Sequence, residues 1–137
     1  MDAAQALADL TEISSQIEAA VLFDDEGAIL GSTLADEGAA RALAGAAGAL
    51  LAGGGSFRSG NGGAVTQLEA STHEGSVFVV SDGQRRIAAV TGSDPTAGLV
   101  FYDLKSCLRG AAAEPAKPKR RRRAAAESGE GNGGDEA

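Results

Sequence analysis

Aromatic residues are scarce in this chain of 137 residues, at 4%, and tryptophan is absent. The hydrophobic fraction of 43% is enough for the core of one domain, built mainly from Leu, Ile, Val and Ala. Cys107 is the single cysteine, which excludes an intramolecular disulfide and fits a reducing cytoplasm. His73 is the single histidine, and one His with one Cys cannot make a structural zinc site.

Long apolar segments are also missing. No stretch reaches the roughly 20 residues that a membrane-spanning helix requires. The chain begins Met1-Asp2 without a basic segment before an apolar run, so no signal peptide is visible. Asp2 excludes N-myristoylation, and there is no C-terminal prenylation box. We therefore expect a soluble, cytoplasmic protein.

Charge is distributed unevenly along the chain, whose formal net charge is −7. Residues 1–110 hold 14 acids and 6 bases, and residues 111–137 hold 5 acids and 6 bases. Nonspecific nucleic-acid binding by the whole chain is therefore disfavoured. Residues 111–137 contain no Leu, Ile, Val or aromatic residue, too little to order a segment. We predict one domain over residues 1–110 and a disordered tail over residues 111–137.

Six of the seven residues at positions 117–123 are cations, and we name this segment the basic block. Its members are Lys117, Lys119, Arg120, Arg121, Arg122 and Arg123. Such a run can contact nucleic acid, an anionic membrane surface or an acidic partner. It can equally be a solubilising tail, because four acids follow it within residues 127–136. No aromatic residue lies among the arginines, which removes base stacking.

The first predicted elements are a helix, a strand, a turn and a second strand. Leu7, Leu10, Ile13 and Ile17 have helical spacing and predict a helix over residues 3–17. Strands are predicted over residues 19–23 and 28–31, separated by Asp24-Asp25-Glu26-Gly27. Three adjacent acids suggest a metal loop, but a calcium loop needs alternating acids and a Glu about twelve residues from its start. The turn of a hairpin is the better interpretation.

The second helix is predicted over about residues 34–52. Thr33 and Asp36 resemble a capping box, and Gly53-Gly54-Gly55 is expected to end the helix. Ala and Gly dominate this helix, which either permits a close contact with another helix or only reflects the overall composition. Residues 53–63 are glycine-rich, but Asn61 stands where a P-loop requires Lys, and a flexible linker is expected.

Three strands and a last helix complete the pattern. Residues 64–70, 76–80 and 86–91 read as strands, with a turn at Asp82-Gly83. The apolar runs are continuous, which indicates strands covered on both faces, while the short connections indicate antiparallel hairpins. The predicted fold is therefore α+β, in α/β/α layers, in the order α-β-β-α-β-β-β-α.

The last helix is expected to open at Asp94-Pro95 and to end at Gly110. Cys107 falls on its apolar stripe and is predicted to be a buried thiol. Asp103 and Lys105 are predicted to lie on its exposed face. His73 is placed in a solvated turn. No nucleophile, base and oxyanion set can be assembled from the sequence, and neither a catalytic residue nor a cofactor or metal site is predicted.

This element order resembles the roadblock family, related to dynein light chains of the roadblock type and to bacterial small-GTPase regulators. The resemblance rests on AAVLFDDEGAILGSTL, on AARALAGAAGALL and on GSVFVVSDGQRRIAAVTGSDPTAGLVFYDL. It covers about residues 3–109 and excludes the tail. It implies a five-stranded antiparallel sheet with helices on both faces, a layered arrangement that profilin and longin domains share.

The resemblance also implies a mode of assembly and a partner. Roadblock domains usually form homodimers through the second helix and the middle strand. On this chain that interface corresponds to Arg41, Ala44, Gly45, Gly48, Leu51, Ala64, Thr66 and Leu68. The implied function is a non-enzymatic regulator or adaptor of a Ras-like small GTPase in a bacterium, together with a membrane-associated signalling protein in some complexes. The alternative is an anion-binding scaffold that works through the basic block.

Overall fold

The computed structural model describes residues 2–55 and 66–112. Three helices and five strands follow one another in the predicted order. Their bounds are α1 Ala3–Ile13, β1 Ile17–Asp24, β2 Ile29–Ser32, α2 Glu37–Gly55, β3 Gln67–Ser71, β4 Ser76–Ser81, β5 Arg85–Thr91 and α3 Ala97–Ala112. The strands form one sheet in the order β2-β1-β5-β4-β3, and each neighbouring pair is antiparallel.

Helices cover both faces of this sheet, as the continuous apolar runs predicted. In β1, Ala20 and Leu22 belong to the core beneath α1 and α3, while Val21 and Phe23 belong to the core beneath α2. All four are at most 1% exposed. A strand buried on both faces has no need for polar alternation. The predicted fold class, α+β in α/β/α layers, is confirmed.

The predicted end of the first helix is wrong by four residues. Helix α1 begins at its N-cap Asp2, whose carboxylate accepts a hydrogen bond from the Gln5 N–H at 2.8 Å, and it ends at Ile13. Ser14 turns to an extended conformation. Ile17 still packs against the core of α1 and α3, but it does so from the first residue of β1. An apolar residue four positions after Ile13 fits the spacing of a continuing helix, and it fits the first position of a buried strand equally well.

The acidic segment after β1 is the turn of a hairpin, as predicted. The Asp24 carboxylate accepts hydrogen bonds from the N–H groups of Glu26 and Ala28, both at 2.9 Å. Gly27 adopts a φ of 92°, which favours glycine. The Asp25 N–H donates to the Gln84 carbonyl at 3.1 Å. This turn is thereby tied to the neighbouring β4–β5 turn.

The start and end of the second helix differ from the prediction. The Asp36 carboxylate accepts from the Gly38 N–H at 3.1 Å and caps α2. The hydroxyl of Thr33 instead accepts from the Ala20 N–H of β1 at 2.9 Å. The capping box is therefore wrong, because sheet pairing takes the Thr33 side chain. The three glycines do not end the helix, which runs through Gly55. Most of the predicted linker lies outside the described residues.

The last helix also begins later than predicted. Asp94 has a φ of 56°, and the Thr96 carbonyl accepts from the N–H groups of Leu99 and Val100 at the start of α3. The helix does not end at Gly110 but continues to Ala112. The predicted exposure of Lys105 is confirmed, whereas that of Asp103 is wrong, since Asp103 is only 6% exposed. The reason is tertiary, because α1 packs beside that edge of α3.

Cys107 is the buried thiol that the apolar stripe predicted. It is 7% exposed, and its Sγ donates to the Ala6 carbonyl of α1 at 3.4 Å. Burial, together with the nearby negative charge of Asp9, raises the pKa of the Cys107 thiol to about 11. The thiol therefore stays protonated at neutral pH and joins α1 to α3.

Gly75 is the position where a side chain is least tolerated. A Cβ built there would collide with the backbone carbonyl of Thr91 on β5. We expect Gly75→Ala to lower the free energy of unfolding by about 1–3 kcal/mol, the usual cost of forcing atoms into packed structure. Gly98→Ala is the matched control, because nothing lies within 4 Å of a Cβ there. Chemical denaturation measures both, and an equal loss in the two variants would contradict the expectation.

The Cys107 thiol predicts a pH dependence of stability. Its pKa is raised in the folded chain, so the unfolded chain releases the thiol proton first as the pH rises. The stabilisation is complete below the unfolded pKa of about 8.5 and is lost as the pH approaches about 11. Denaturation curves between these values should show a steeper loss of stability for the native chain than for Cys107→Ala. An equal dependence of stability on pH in the two proteins would contradict this role of the thiol.

Candidate protein interaction site

The two edges of the sheet differ in their capacity to pair. Edge strand β2 has four residues, and its register shifts so that Leu22 opposes Gly31 while Phe23 opposes Ile29. Leu30 is the extra, bulged residue. A short, bulged edge resists pairing with another strand. Strand β2 is therefore a protected edge.

Edge strand β3 has no such protection. Its five residues pair with β4 in an unbroken register from Gln67 opposite Val80 to Ser71 opposite Ser76. Within residues 2–55 and 66–112, β4 is the only strand that pairs with β3. A regular strand with an open edge is a template for a further strand. This edge is the first component of the candidate site.

The hydrogen-bond alternation shows which groups of β3 point outward. The Ser81 N–H donates to the Thr66 carbonyl, and the Thr72 N–H donates to the Gly75 carbonyl, both at 2.8 Å. Hydrogen-bonded pairs alternate along an antiparallel ladder, so Leu68 and Ala70 direct their backbone groups to β4. Residues 67, 69 and 71 therefore direct their N–H and C=O groups toward the open edge.

A largely apolar groove of about 490 Å³ lies between this edge and α2. Ala49, Leu50, Gly53 and Gly54 form the helix side. The strand side consists of residues 67–70. Leu50 is 37% exposed, an exposed apolar side chain between small residues. Small side chains let a second helix approach closely, so groove and open edge together form one surface suited to another protein chain.

The predicted interface residues fall into separate groups in the structure. Ala44 and Leu51 are 3% and 7% exposed, and both pack on the sheet within the chain's own core. Arg41 is exposed and forms a loose ion pair with Glu37 at 3.8 Å. Gly45 is exposed and Gly48 is half-buried, with nothing within 4 Å of a Cβ at either position.

On the strand side, the structure brings Leu68 into the groove and leaves Thr66 exposed. Ala64 lies outside the described residues. Three further residues line the groove or the edge and were not predicted from the sequence, namely Leu50, Gly53 and Glu69. Leu50 has helical spacing with Leu43 and Ala47, so nothing in the sequence signals that its side chain is exposed. The register that turns Glu69 outward cannot be deduced from the sequence.

The residues that the sequence offered for chemistry or anion binding do not come together on this surface. His73 is exposed in the bend between β3 and β4. In the described part of the chain, no group of three or more His, Cys, Asp or Glu side chains could hold a metal ion. The basic block lies outside the described residues. None of the described helices is both long enough and apolar enough to cross a membrane.

Solved structures with the same fold are numerous. A Roadblock/LC7 domain from Streptomyces avermitilis has a TM-score of 0.72 and 22% identity, over 82% of this chain and 96% of that chain. The gliding protein MglB from Thermus thermophilus has a TM-score of 0.60 and 18% identity, over 80% of this chain and 85% of that chain. A structure of MglB in a tetrameric arrangement has a TM-score of 0.61 and 17% identity, with the same coverage. At these identities the likeness shows the fold.

The sequence comparisons then decide the family. No curated protein matches the chain significantly. The profile of the Roadblock/LC7 domain family matches residues 4–91, more than half of the chain and every element from α1 to β5. Sheet, helices and sequence profile agree, and the chain belongs to the Roadblock/LC7 domain family.

Proposed function

We propose that this chain is a homodimeric, non-enzymatic regulator or adaptor that binds a Ras-like small GTPase. The observation that supports the homodimer is the open, regular edge of β3 beside the small-residue face of α2. The family membership supports the binding of a Ras-like GTPase, since roadblock domains commonly bind such GTPases. The MglB structure in a tetrameric arrangement supports self-association in this fold.

The contrast between the two edges supports pairing through β3. A second chain related by a two-fold axis would place its own residues 67, 69 and 71 opposite these outward groups. Each hydrogen bond across the junction contributes about 1 kcal/mol. The helices α2 of the two chains would then lie side by side over the joined sheet, and the small residues at Ala49 and Gly53 permit close contact. Leu50 of each chain would lose its exposure to water.

A regulator of this kind acts by binding its partner and repositioning the partner's own residues. In the described residues the sole histidine is exposed, and the sole cysteine is buried with a pKa of about 11, which makes it a poor nucleophile. The GTP-hydrolysing groups would therefore belong to the GTPase. A dimer would present a continuous surface, wider than one chain alone, that orders or displaces the partner's own residues.

The dimer can be tested by removing one outward N–H. Proline lacks the N–H, and at position 69 it breaks no hydrogen bond to β4. We expect Glu69→Pro to raise the dimer dissociation constant about 30-fold, since each chain loses a hydrogen bond worth about 1 kcal/mol. Sedimentation equilibrium measures it. Glu69→Thr is the matched control, which removes the carboxylate but keeps the N–H, and it should remain dimeric.

Circular dichroism must show that both position-69 variants are folded. If folded Glu69→Pro dimerises as tightly as the wild-type chain, pairing through β3 is wrong.

The partner can be tested with the full-length chain as bait for Ras-like GTPases, each loaded with GDP or with a non-hydrolysable GTP analogue. We expect the chain to retain one GTPase with a preference for one nucleotide state and to change its rate of hydrolysis or nucleotide exchange. A variant with all six cations of the basic block replaced by Gln is the control, and it should bind equally well at moderate salt. GTP hydrolysis by this chain alone would contradict a non-enzymatic role.

Loss of all binding in the neutralised variant would support the anion-binding alternative instead. Interaction through the basic block with nucleic acid or membrane should fall steeply with salt, whereas an interface with an apolar centre should not.

A further inference from the structure

The second surface of interest is the crevice between α1 and α3, on the opposite face of the sheet from α2. The two helices are antiparallel: the Thr96 N–H at the start of α3 donates to Gln16 Oε1, just beyond the end of α1, at 2.7 Å. The crevice has a volume of about 180 Å³ and is mostly apolar. It runs from Ala6 and Gly110 to Ile13 and Asp103. We name it the α1–α3 groove.

Asp103 is the feature of the groove that requires an explanation. It lines the groove and is only 6% exposed. Within the described ranges, its carboxylate has neither a hydrogen bond nor an ion pair, and the ion pair that those ranges contain joins Arg41 and Glu37 on the other face. The unpaired carboxylate keeps a little contact with water, and the groove that Asp103 lines is where a cation can reach it.

The surroundings of Asp103 favour the same kind of ligand. Asp9 forms part of the facing wall, and Glu12 precedes the groove residue Ile13 on α1. Between Asp2 and Ile13 the chain carries no base. On α3, Lys105 and Arg109 line a cavity beside β4, and Arg109 Nη2 also donates to the hydroxyl of the groove residue Ser106 at 3.3 Å. The groove is therefore lined by the acids Asp9 and Asp103 and by no basic residue, with Arg109 at its rim.

The exposed side chain of Ile13 lines the groove, and two further exposed side chains, Leu99 and Tyr102, lie on α3 within four residues of Asp103. Ile13, Leu99 and Tyr102 are 65%, 51% and 63% exposed. The face of an exposed tyrosine ring attracts a guanidinium group, and apolar side chains can cover the methylene stems of Arg and Lys. The combination of acids, aliphatic groups and one aromatic ring suits a segment rich in arginine.

The chain itself carries such a segment within reach. Helix α3 ends at Ala112, two residues after the groove residue Gly110. The basic block begins five residues later at Lys117, and five extended residues span up to about 17 Å. Along α3, Asp103 lies nine residues before Ala112, a distance of about 14 Å at 1.5 Å per residue. A chain that reverses direction after Ala112 therefore places the block over Asp103.

We propose that the α1–α3 groove binds the basic block, residues 117–123, of the same chain. The arginines pair with Asp103, Asp9 and Glu12, and one guanidinium stacks on Tyr102. In this state the block is withdrawn from external anions, and it covers the α1–α3 face against other partners. The inference does not depend on GTPase binding, and either can fail without the other.

The test compares amide spectra of the full-length, ¹⁵N-labelled chain with those of the variant in which Gln replaces the six cations. We expect differences at residues 9–13 and 102–106, and none in β2. The differences should vanish at about 1 M salt, where the Debye length is about 3 Å. Differences that are absent at low salt, or confined to other surfaces, would overturn the proposal.

Single substitutions identify the acids that hold the block. Asp103→Asn and Asp9→Asn should each raise the rate of tryptic cleavage within the block, by up to about fivefold, the contribution of one exposed ion pair. Glu37→Gln is the matched control, because Glu37 lies on α2 across the sheet. Denaturation curves check that every variant is folded. Equal cleavage rates in wild type and in both groove variants would contradict docking.

A mixing experiment separates docking within one chain from docking between chains. The labelled neutral variant is mixed with an excess of unlabelled wild type, long enough for any dimers to exchange. We expect its groove amides to stay unchanged, since its own block is neutral. Shifts at residues 9–13 and 102–106 would mean that the block binds a second copy, which would overturn docking within one chain.

Discussion

A sheet covered by helices on both faces can meet another chain only at its edges or through the outer surfaces of its helices. This constraint follows from the central strands, where Ala20 to Phe23 contribute alternately to the core beneath α1 and α3 and to the core beneath α2. Four consecutive residues are thereby removed from water. In the described part of the chain, the faces of the central strand β1 are therefore closed to recognition between Ala20 and Phe23, and contacts with other chains are left to the edges and the outer helix surfaces.

The periphery is divided into two surfaces of different character. On the α2 side, small residues, the exposed Leu50 and the regular edge of β3 form a largely apolar surface. On the opposite side, Asp9 and the unpaired Asp103 make the α1–α3 groove acidic. An apolar surface with open backbone groups suits a stable contact with another chain, whereas an acidic groove suits a contact that responds to salt. The two surfaces can therefore operate independently.

The sequence predicted the order of the elements, the two-sided burial, the acidic hairpin turn and the buried thiol. These features depend on local turn chemistry and on hydrophobic runs. The ends of the helices were predicted less well. The position of Ile17 fits the apolar spacing of a helix and that of a strand equally well. Thr33 has the side chain of a helix cap, but in the structure its hydroxyl accepts a hydrogen bond from β1 instead. In both cases a contact distant in the sequence decided between locally equivalent choices.

The candidate site was predicted only in outline, because the resemblance indicated α2 and β3 but could not orient their residues. The amino-acid sequence by itself determined that this chain adopts the α+β fold of the roadblock type, since hydrophobic runs and turn residues are local properties. Only the tertiary structure decided that Ala44 and Leu51 face the core, that Glu69 points its backbone outward and that Asp103 is buried beside α1. Those outcomes depend on strand register and on helix packing, which join residues far apart in the chain.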